Sequence, residues 1–294
     1  MSTPGIKVFN ISTGNMDTSW FESACFQLGP DEIVTIPDFS SPLPYVTYAK
    51  VSHEMSNPSL WHNSYHMLCF TKGGYDIGGE DYIAPSISLV EPLSPTGEAR
   101  PYESGVVEFA FFANGLGAAP FFDNYEDERV LALKSEMPEA IPDMEVPPVP
   151  DDPGKVFHLD RASTLITLPG IALFPCSVSP AGFGISTKAS DPAPFFALIE
   201  VEPDVVIPTH SYSEWSGFTV FDGSAEIDGE KVDDKQFILA EPNTALSFTA
   251  GPEGAKALAF FKTTAGAIPT FTDPESEIAV ALAKVRKESG CDVG

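Results

Sequence analysis

The sequence predicts an all-β protein of two tandem barrels, followed by a helix at the C-terminal end. Three observations carry that expectation. Short alternating or wholly apolar runs are broken throughout by turn residues, with 23 glycines and 28 prolines in 294 residues, as sandwich and barrel proteins require. A proline-rich stretch without hydrophobic periodicity divides the chain near its middle. Finally, the halves repeat one another. Pro208-Thr-His-Ser-Tyr-Ser-Glu-Trp-Ser-Gly-Phe-Thr-Val-Phe-Asp-Gly223 falls on Pro58-Ser-Leu-Trp-His-Asn-Ser-Tyr-His-Met-Leu-Cys-Phe-Thr-Lys-Gly73 at an offset of 150 positions. The register continues through Ile77-Gly-Gly-Glu80 against Ile227-Asp-Gly-Glu230 and Leu89-Val-Glu-Pro92 against Leu239-Ala-Glu-Pro242. Agreement of prolines, glycines and apolar residues over roughly 35 positions marks an internal duplication.

In chain order, residues 1–45 hold short pieces such as Glu32-Ile-Val-Thr-Ile36 between Pro30, Pro37, Pro42 and Pro44. They read as edge strands and loops packing on the first barrel. Tyr45 to Val51 alternates as a strand, and Tyr65 to Thr71 is a more buried one. Gly73-Gly74 and Gly78-Gly79 punctuate hairpins. Val106 to Ala113 is an apolar run interrupted only by Glu108, a strand covered on both faces. Asn124 to Lys134 forms one short helix with Asp123 or Asn124 as N-cap. Strands return at Phe195 to Glu202, Phe218 to Phe221, Ser224 to Asp228, Phe237 to Ala240 and Ala257 to Lys262. Asp273-Pro-Glu-Ser-Glu opens a terminal helix that runs to about Glu288, with Lys284, Arg286 and Lys287 near its end. The resulting division is an N-terminal barrel at 1–137, a linker at 138–154 and a C-terminal barrel with its helix at 155–294.

Charge narrows the function. With 42 acidic against 16 basic residues, the formal net charge is −26. Such a chain repels phosphates, which argues against nucleic acid and against anionic membrane surfaces. No apolar run is long enough to cross a bilayer, and the N-terminus lacks the pattern of a secretory signal. Cys25, Cys69, Cys176 and Cys291 are widely spaced and form no CxxC pair. They read as free thiols, so a cytoplasmic location is expected.

The repeated stretch resembles the first conserved motif of the cupin superfamily, in which a His-x-His and a glutamate precede a closing glycine. His210 stands at the first histidine and Gly223 at the closing glycine, while Asp204 replaces the leading glycine. Pro242-Asn-Thr-Ala-Leu-Ser247 is similar to the second motif. With the duplication, the resemblance implies a bicupin, two double-stranded β-helix or jelly-roll barrels, over most of residues 45–270. It also implies a pseudo-dimer within one chain, monomeric or further paired as a homodimer. Cupins that bind metal use two histidines, a glutamate and a second-motif histidine. Here those positions are His210, Tyr212, Ser216 and Ser247 in one copy, and Leu60, His62, His66 and Gly97 in the other.

Two functional readings follow. In the first, His62 and His66 share a strand face and hold a divalent metal, Fe, Mn, Zn, Ni or Cu. His53, Glu98 or Glu103 would supply a third ligand. The chain would then be an enzyme of oxygenase, isomerase or lyase type, acting on a small hydroxylated, carbonyl or carboxylate metabolite. In the second, no metal is bound. His210, Tyr212 and Glu214 then line a pocket in the C-terminal barrel that binds a small molecule or moves protons.

Overall fold

The computed structural model describes residues 5–10, 21–28, 33–34, 45–64, 66–112, 117–136, 138, 141, 156–158, 165–177, 195–234, 236–261, 263 and 265–288. The proposed linker lies outside these residues except for Pro138 and Ile141. Two compact units emerge, Thr13–Leu159 and a second made of Met1–Ser12 with Asp160–Gly294.

After β1 (Ile6–Asn10), the N-terminal unit runs through β2 (Phe21–Leu28), β3 (Ile33–Val34), β4 (Tyr45–Val51) and β5 (Leu60–His62). It continues with β6 (His66–Ile77), β7 (Glu80–Ile83), β8 (Ser86–Val90), β9 (Ala99–Phe112) and β10 (Pro120–Phe122), then helix α1 (Glu128–Glu136) and β11 (Val156–His158). The C-terminal unit comprises β12 (Ile166–Leu168), β13 (Ile171–Ser177), β14 (Phe195–Val201), β15 (Val206–Ser211) and β16 (Ser216–Ile227). Then come β17 (Glu230–Val232), β18 (Gln236–Ala240), β19 (Leu246–Phe261), β20 (Thr270–Phe271) and helix α2 (Glu277–Glu288). The spatial order is β11-β8-β6-β9-β4-β2-β3 in one unit and β1-β18-β16-β19-β14-β13-β12 in the other. Small strands complete each wall, with β5 on β10 in the first and β15 on β19 and β20 in the second. Among the described residues all pairings are antiparallel, so the all-β expectation holds, and both expected helices are present.

The first strand departs from expectation. β2 and β3 do join the first barrel through β4, but β1 pairs with β18, Ile6 opposite Ala240. In return β11 pairs with β8, Val156 opposite Val90. Positions 6 and 156 are again one repeat apart, so each unit takes its outer strand from the other half of the sequence. A short alternating segment fixes which of its faces turns inward but not which open sheet edge it covers.

The duplication also extends further than the sequence shows. Up to β8 and β18 the offset stays at 150. Beyond them it becomes 149, because Phe112 lies opposite His66 where Phe261 lies opposite Ser216. In both units the long ladder slips at the same place, between Phe70 and Lys72 and between Val220 and Asp222. Such bulges bend a ladder so that one pair of strands turns the corner of a barrel. The bend brings backbones together. Gly73 (φ +69°) has no room for a side chain, since a Cβ there would run into the carbonyl of Gly105; Gly223 (φ +74°) meets Gly254 in the same way. Apolar side chains fill the space inside: Phe70, Tyr75 and Ile77 with Val51 in one unit, Val220, Ile227 and Ile238 with Val201 in the other.

Both helices begin later than their sequences suggest. Asn124 Oδ1 accepts from the Glu126 amide and Asp127 Oδ1 from the Arg129 amide, so two successive Asx turns precede α1 and Asp127 caps it. Asp273 likewise holds the Glu275 amide in a turn before α2. Val130 and Leu133 of α1 pack against Phe122 and Ile141.

Alanine at Gly73 or at Gly223 is expected to destabilise its unit by about 2 kcal/mol or more, from strain at positive φ plus the backbone collision. Gly79 also has positive φ but no atom near its Cβ direction, so Gly79→Ala should cost about 1 kcal/mol. Urea unfolding of the three variants measures the difference.

Candidate functional site

The N-terminal barrel encloses a cavity of about 230 Å³. Its walls are mainly apolar, from Ala49 and Val51 of β4, Leu68 of β6, Ala110 and Phe112 of β9, Phe122 of β10 and Leu133 of α1. His62 and His66 both line it, although not as neighbours on one regular strand. The chain leaves β5 after His62, opposite Pro120, and enters β6 at His66, opposite Phe112. The imidazoles meet edge to face at 4.7 Å between centroids, and the Phe112 ring lies 4.7 and 5.1 Å from the two.

Their surroundings fix their charge. His66 is 1% exposed, and its Nδ1 lies 3.2 Å from the Ser64 carbonyl. A carbonyl only accepts, so Nδ1 carries the proton and Nε2 keeps a bare lone pair. Burial lowers the His66 pKa to about 4, only partly opposed by that hydrogen bond. Burial also lowers His62, and proximity to His66 lowers it further, while the backbone of Ala118 and Ala119 pulls the other way. His62 Nδ1 is buried without a hydrogen-bond partner. At neutral pH the head of the cavity therefore holds two uncharged imidazoles.

The donor set falls short of a metal centre. Among the described residues no group of three His, Cys, Asp or Glu side chains is placed to hold an ion. The residues expected to supply a third ligand are engaged or remote. His53 and Glu103 are exposed, and Glu98 accepts hydrogen bonds from Arg100 and Arg129 at 2.7 Å each. Those partners hold the Glu98 carboxyl well below its usual range, at about 2. Arg129 also binds Asp127 and Ser56, which ties α1 to the loop before β5. Two imidazoles alone do not make a catalytic site complete in protein ligands.

A second polar group in this cavity was not singled out from the sequence as a site. Glu108 of β9 lines it beside Tyr75 of β6 and Asn57. Its side chain is partly buried, and burial among the walls raises its pKa to about 7. Tyr75 is 2% exposed, and burial followed by the nearby Glu108 pushes its phenol up. Asn57 is close enough to ease that phenol's ionisation, yet the Tyr75 hydroxyl closes no hydrogen bond of ordinary geometry. The available signal was the lone acid that breaks the apolar run Val106 to Ala113.

In the C-terminal barrel, His210 and Tyr212 line a smaller pocket of about 100 Å³ together with Ser247. Their rings meet at 5.2 Å and 89°. His210 Nδ1 lies 2.8 Å from the Pro208 carbonyl; burial lowers its pKa and raises that of Tyr212. Ser247 donates to Asp228 at 2.7 Å. Glu214 does not join them. β15 ends at Ser211, the chain bends before Ser216, and Glu214 instead accepts from Thr263 Oγ1 at 3.0 Å. Its expected inward orientation required a straight strand.

Two like β-barrels, each closed round a cavity and packed with one helix, constitute a bicupin fold. The same architecture recurs in a variant of the oxalate decarboxylase of Bacillus subtilis, with a TM-score of 0.60 and 13% identity over 97% of this chain and 85% of that one. The oxalate decarboxylase of Lactobacillus farciminis in its formate complex gives 0.56 and 12%, covering 90% and 88%. A bacterial pirin from Escherichia coli in complex with nickel(II) gives 0.53 and 11%, covering 87% and 97%. At these identities the likeness establishes the fold. No family model and no curated protein matches the sequence.

The buried histidines make acid stability a direct test. A histidine whose folded pKa is depressed contributes stability that is complete above its unfolded pKa, near 6.5, and lost as pH falls through the folded value. For His66 that window runs from about 6.5 down to about 4. Glu108, whose carboxyl pKa is raised to about 7 by burial, contributes the opposite slope over an overlapping window in wild type and variant alike. The readout is therefore the difference: between pH 6.5 and 4, wild type should lose of order 2–3 kcal/mol more than His66→Gln in thermal unfolding.

Proposed function

We propose that this bicupin is an enzyme whose working chamber is the N-terminal barrel. The substrate is a small, largely apolar, uncharged metabolite whose hydroxyl donates to the bare Nε2 of His66, or whose carbonyl sets an adjacent C–H against that nitrogen. The observation that carries this reading is the pair of buried neutral imidazoles at the head of a mainly apolar cavity of about 230 Å³. Such a cavity suits one small ligand oriented by a few polar groups.

Charge selects the substrate class. Among the described residues no Lys or Arg lines the cavity, and Glu108 lies within it. A small dianion such as oxalate, the substrate in the name of two structural neighbours, would find no counter-charge there. A neutral compound needs none. The reaction these residues support is proton transfer beside a substrate carbonyl, of isomerase or lyase type. His66 Nε2 is a weak base because burial disfavours its charged form, and it gains basicity as negative charge develops on an adjacent oxygen. The C-terminal pocket serves this reading less well, because it is smaller and Glu214 is turned to Thr263.

A second reading keeps a metal, and one observation favours it. His62 Nδ1 is an orphaned buried nitrogen, and both imidazoles are in the unprotonated form that ligation needs. Structural neighbours are described with Mn(II) centres in one case and nickel(II) in another. His62 and His66 would hold such an ion, but the remaining ligands would have to come from outside the described carboxylates and histidines.

Elemental analysis of untagged protein separates the two, combined with calorimetric titration of 1-octanol before and after EDTA. The expected result is no stoichiometric Fe, Mn, Ni, Cu or Zn and unchanged 1-octanol affinity after EDTA. His66→Ala removes the acceptor for the alcohol proton and should weaken that affinity about tenfold. Stoichiometric metal whose removal abolishes binding would establish the second reading instead.

A further inference from the structure

The polar group formed by Glu108, Tyr75 and Asn57 has no counterpart in the sister barrel. Phe70 lies opposite Glu108, and one repeat later Val220 lies opposite Ala257. Tyr75 corresponds to Ala225, since Tyr75 faces Pro101 where Ala225 faces Ala250. Asn57 bridges to Ala99, and Ile207 pairs with Phe248 at the equivalent place. The C-terminal barrel closes the same fold with Ala257, Ala225 and Ile207 at the positions of Glu108, Tyr75 and Asn57. Closing the barrel therefore does not call for a carboxyl, a phenol and an amide. Burying them is costly unless they bond something, and the Tyr75 hydroxyl is enclosed without a bond.

Their position is as informative as their chemistry. Phe112, which touches both imidazoles, and Glu108 are four residues apart on β9. At strand spacing that is about 13 Å. Both side chains face the cavity, as does Ala110 between them. The chamber thus has a polar head at the histidines, apolar walls, and a second polar end.

We propose that Glu108, flanked by Tyr75 and Asn57, is the second anchoring group of the N-terminal chamber, and that the substrate is an elongated neutral molecule with an oxygen function at each end and an apolar middle. This deepens the proposed use of the chamber and rests on it. The titratable side chains lining the same cavity are Tyr45, Tyr75, His62 and His66, and none supplies a positive charge near neutrality. Burial holds the Glu108 carboxyl near half-protonation at pH 7, so it serves a ligand hydroxyl as donor or as acceptor.

The test is calorimetric titration of the full chain with 1,8-octanediol and with 1-octanol, which share a body and differ in the second oxygen. Wild type is expected to bind the diol at least about tenfold tighter, because a site built to bond an oxygen is left unpaired by the analogue that lacks it. Glu108→Ala should erase the preference and Glu108→Gln should retain it. Tyr75→Phe should reduce it severalfold and decides the matter if Glu108→Ala does not fold. Equal binding of both probes by wild type overturns the role of Glu108 and leaves the chamber reading standing. So does a preference that survives Glu108→Ala, or Tyr75→Phe where that variant decides. Binding of neither probe overturns both.

Discussion

The ladder between β6 and β9 sets what the N-terminal barrel can do. Its register places His66 against Phe112 at one end and Phe70 against Glu108 four residues on, and then it slips by one residue. The slip turns the strands, and the turn needs Gly73, where a Cβ would meet the Gly105 carbonyl, and Gly105, where a Cβ would meet the Val51 carbonyl. Shift the register by one and every cavity-lining group on these strands would face away from the cavity, since side chains alternate along a strand. Pocket chemistry and barrel geometry are therefore consequences of the same hydrogen-bond pattern.

The two barrels share that pattern and differ in what hangs from it. His62 and His66 line one cavity and His210, Tyr212 and Ser247 the other, and each has a leucine from its helix on the wall, Leu133 or Leu282. The N-terminal cavity carries polar groups at two levels. The C-terminal one is smaller and keeps its polar side chains, His210, Tyr212 and Ser247, among Ile, Leu and Phe walls. Desolvation is the force common to both sites. It moves histidines down and acids and phenols up, which leaves the groups lining both pockets largely uncharged near neutrality. Neutral polar ends on apolar walls explain why a protein of net charge −26 presents a chamber suited to uncharged ligands.

Much of this was legible in the sequence because duplication writes the pattern twice. Alternation marked the strand from Tyr45 to Val51, and the repeat aligned Pro58 to Pro92 with Pro208 to Pro242. The resemblance read onto that register singled out His62, His66, His210 and Tyr212, which line the two cavities. What the sequence alone could not reveal depends on contacts between distant residues. Glu214 looked inward because Tyr212 is two residues before it, but the chain bends before Ser216. Glu108 looked like an interruption of an apolar run, and only the closed barrel shows that the interruption faces a cavity. β1 carried no mark of which sheet edge it would cover.

That reciprocal use of β1 and β11 has a consequence for the covalent chain. Each half of the sequence contributes one strand to the other's sheet, so a fragment cut at the boundary between the halves would keep a foreign strand and lack its own. Severed there, the fragments would each leave a sheet edge uncovered, and open edges of that kind invite pairing with another chain.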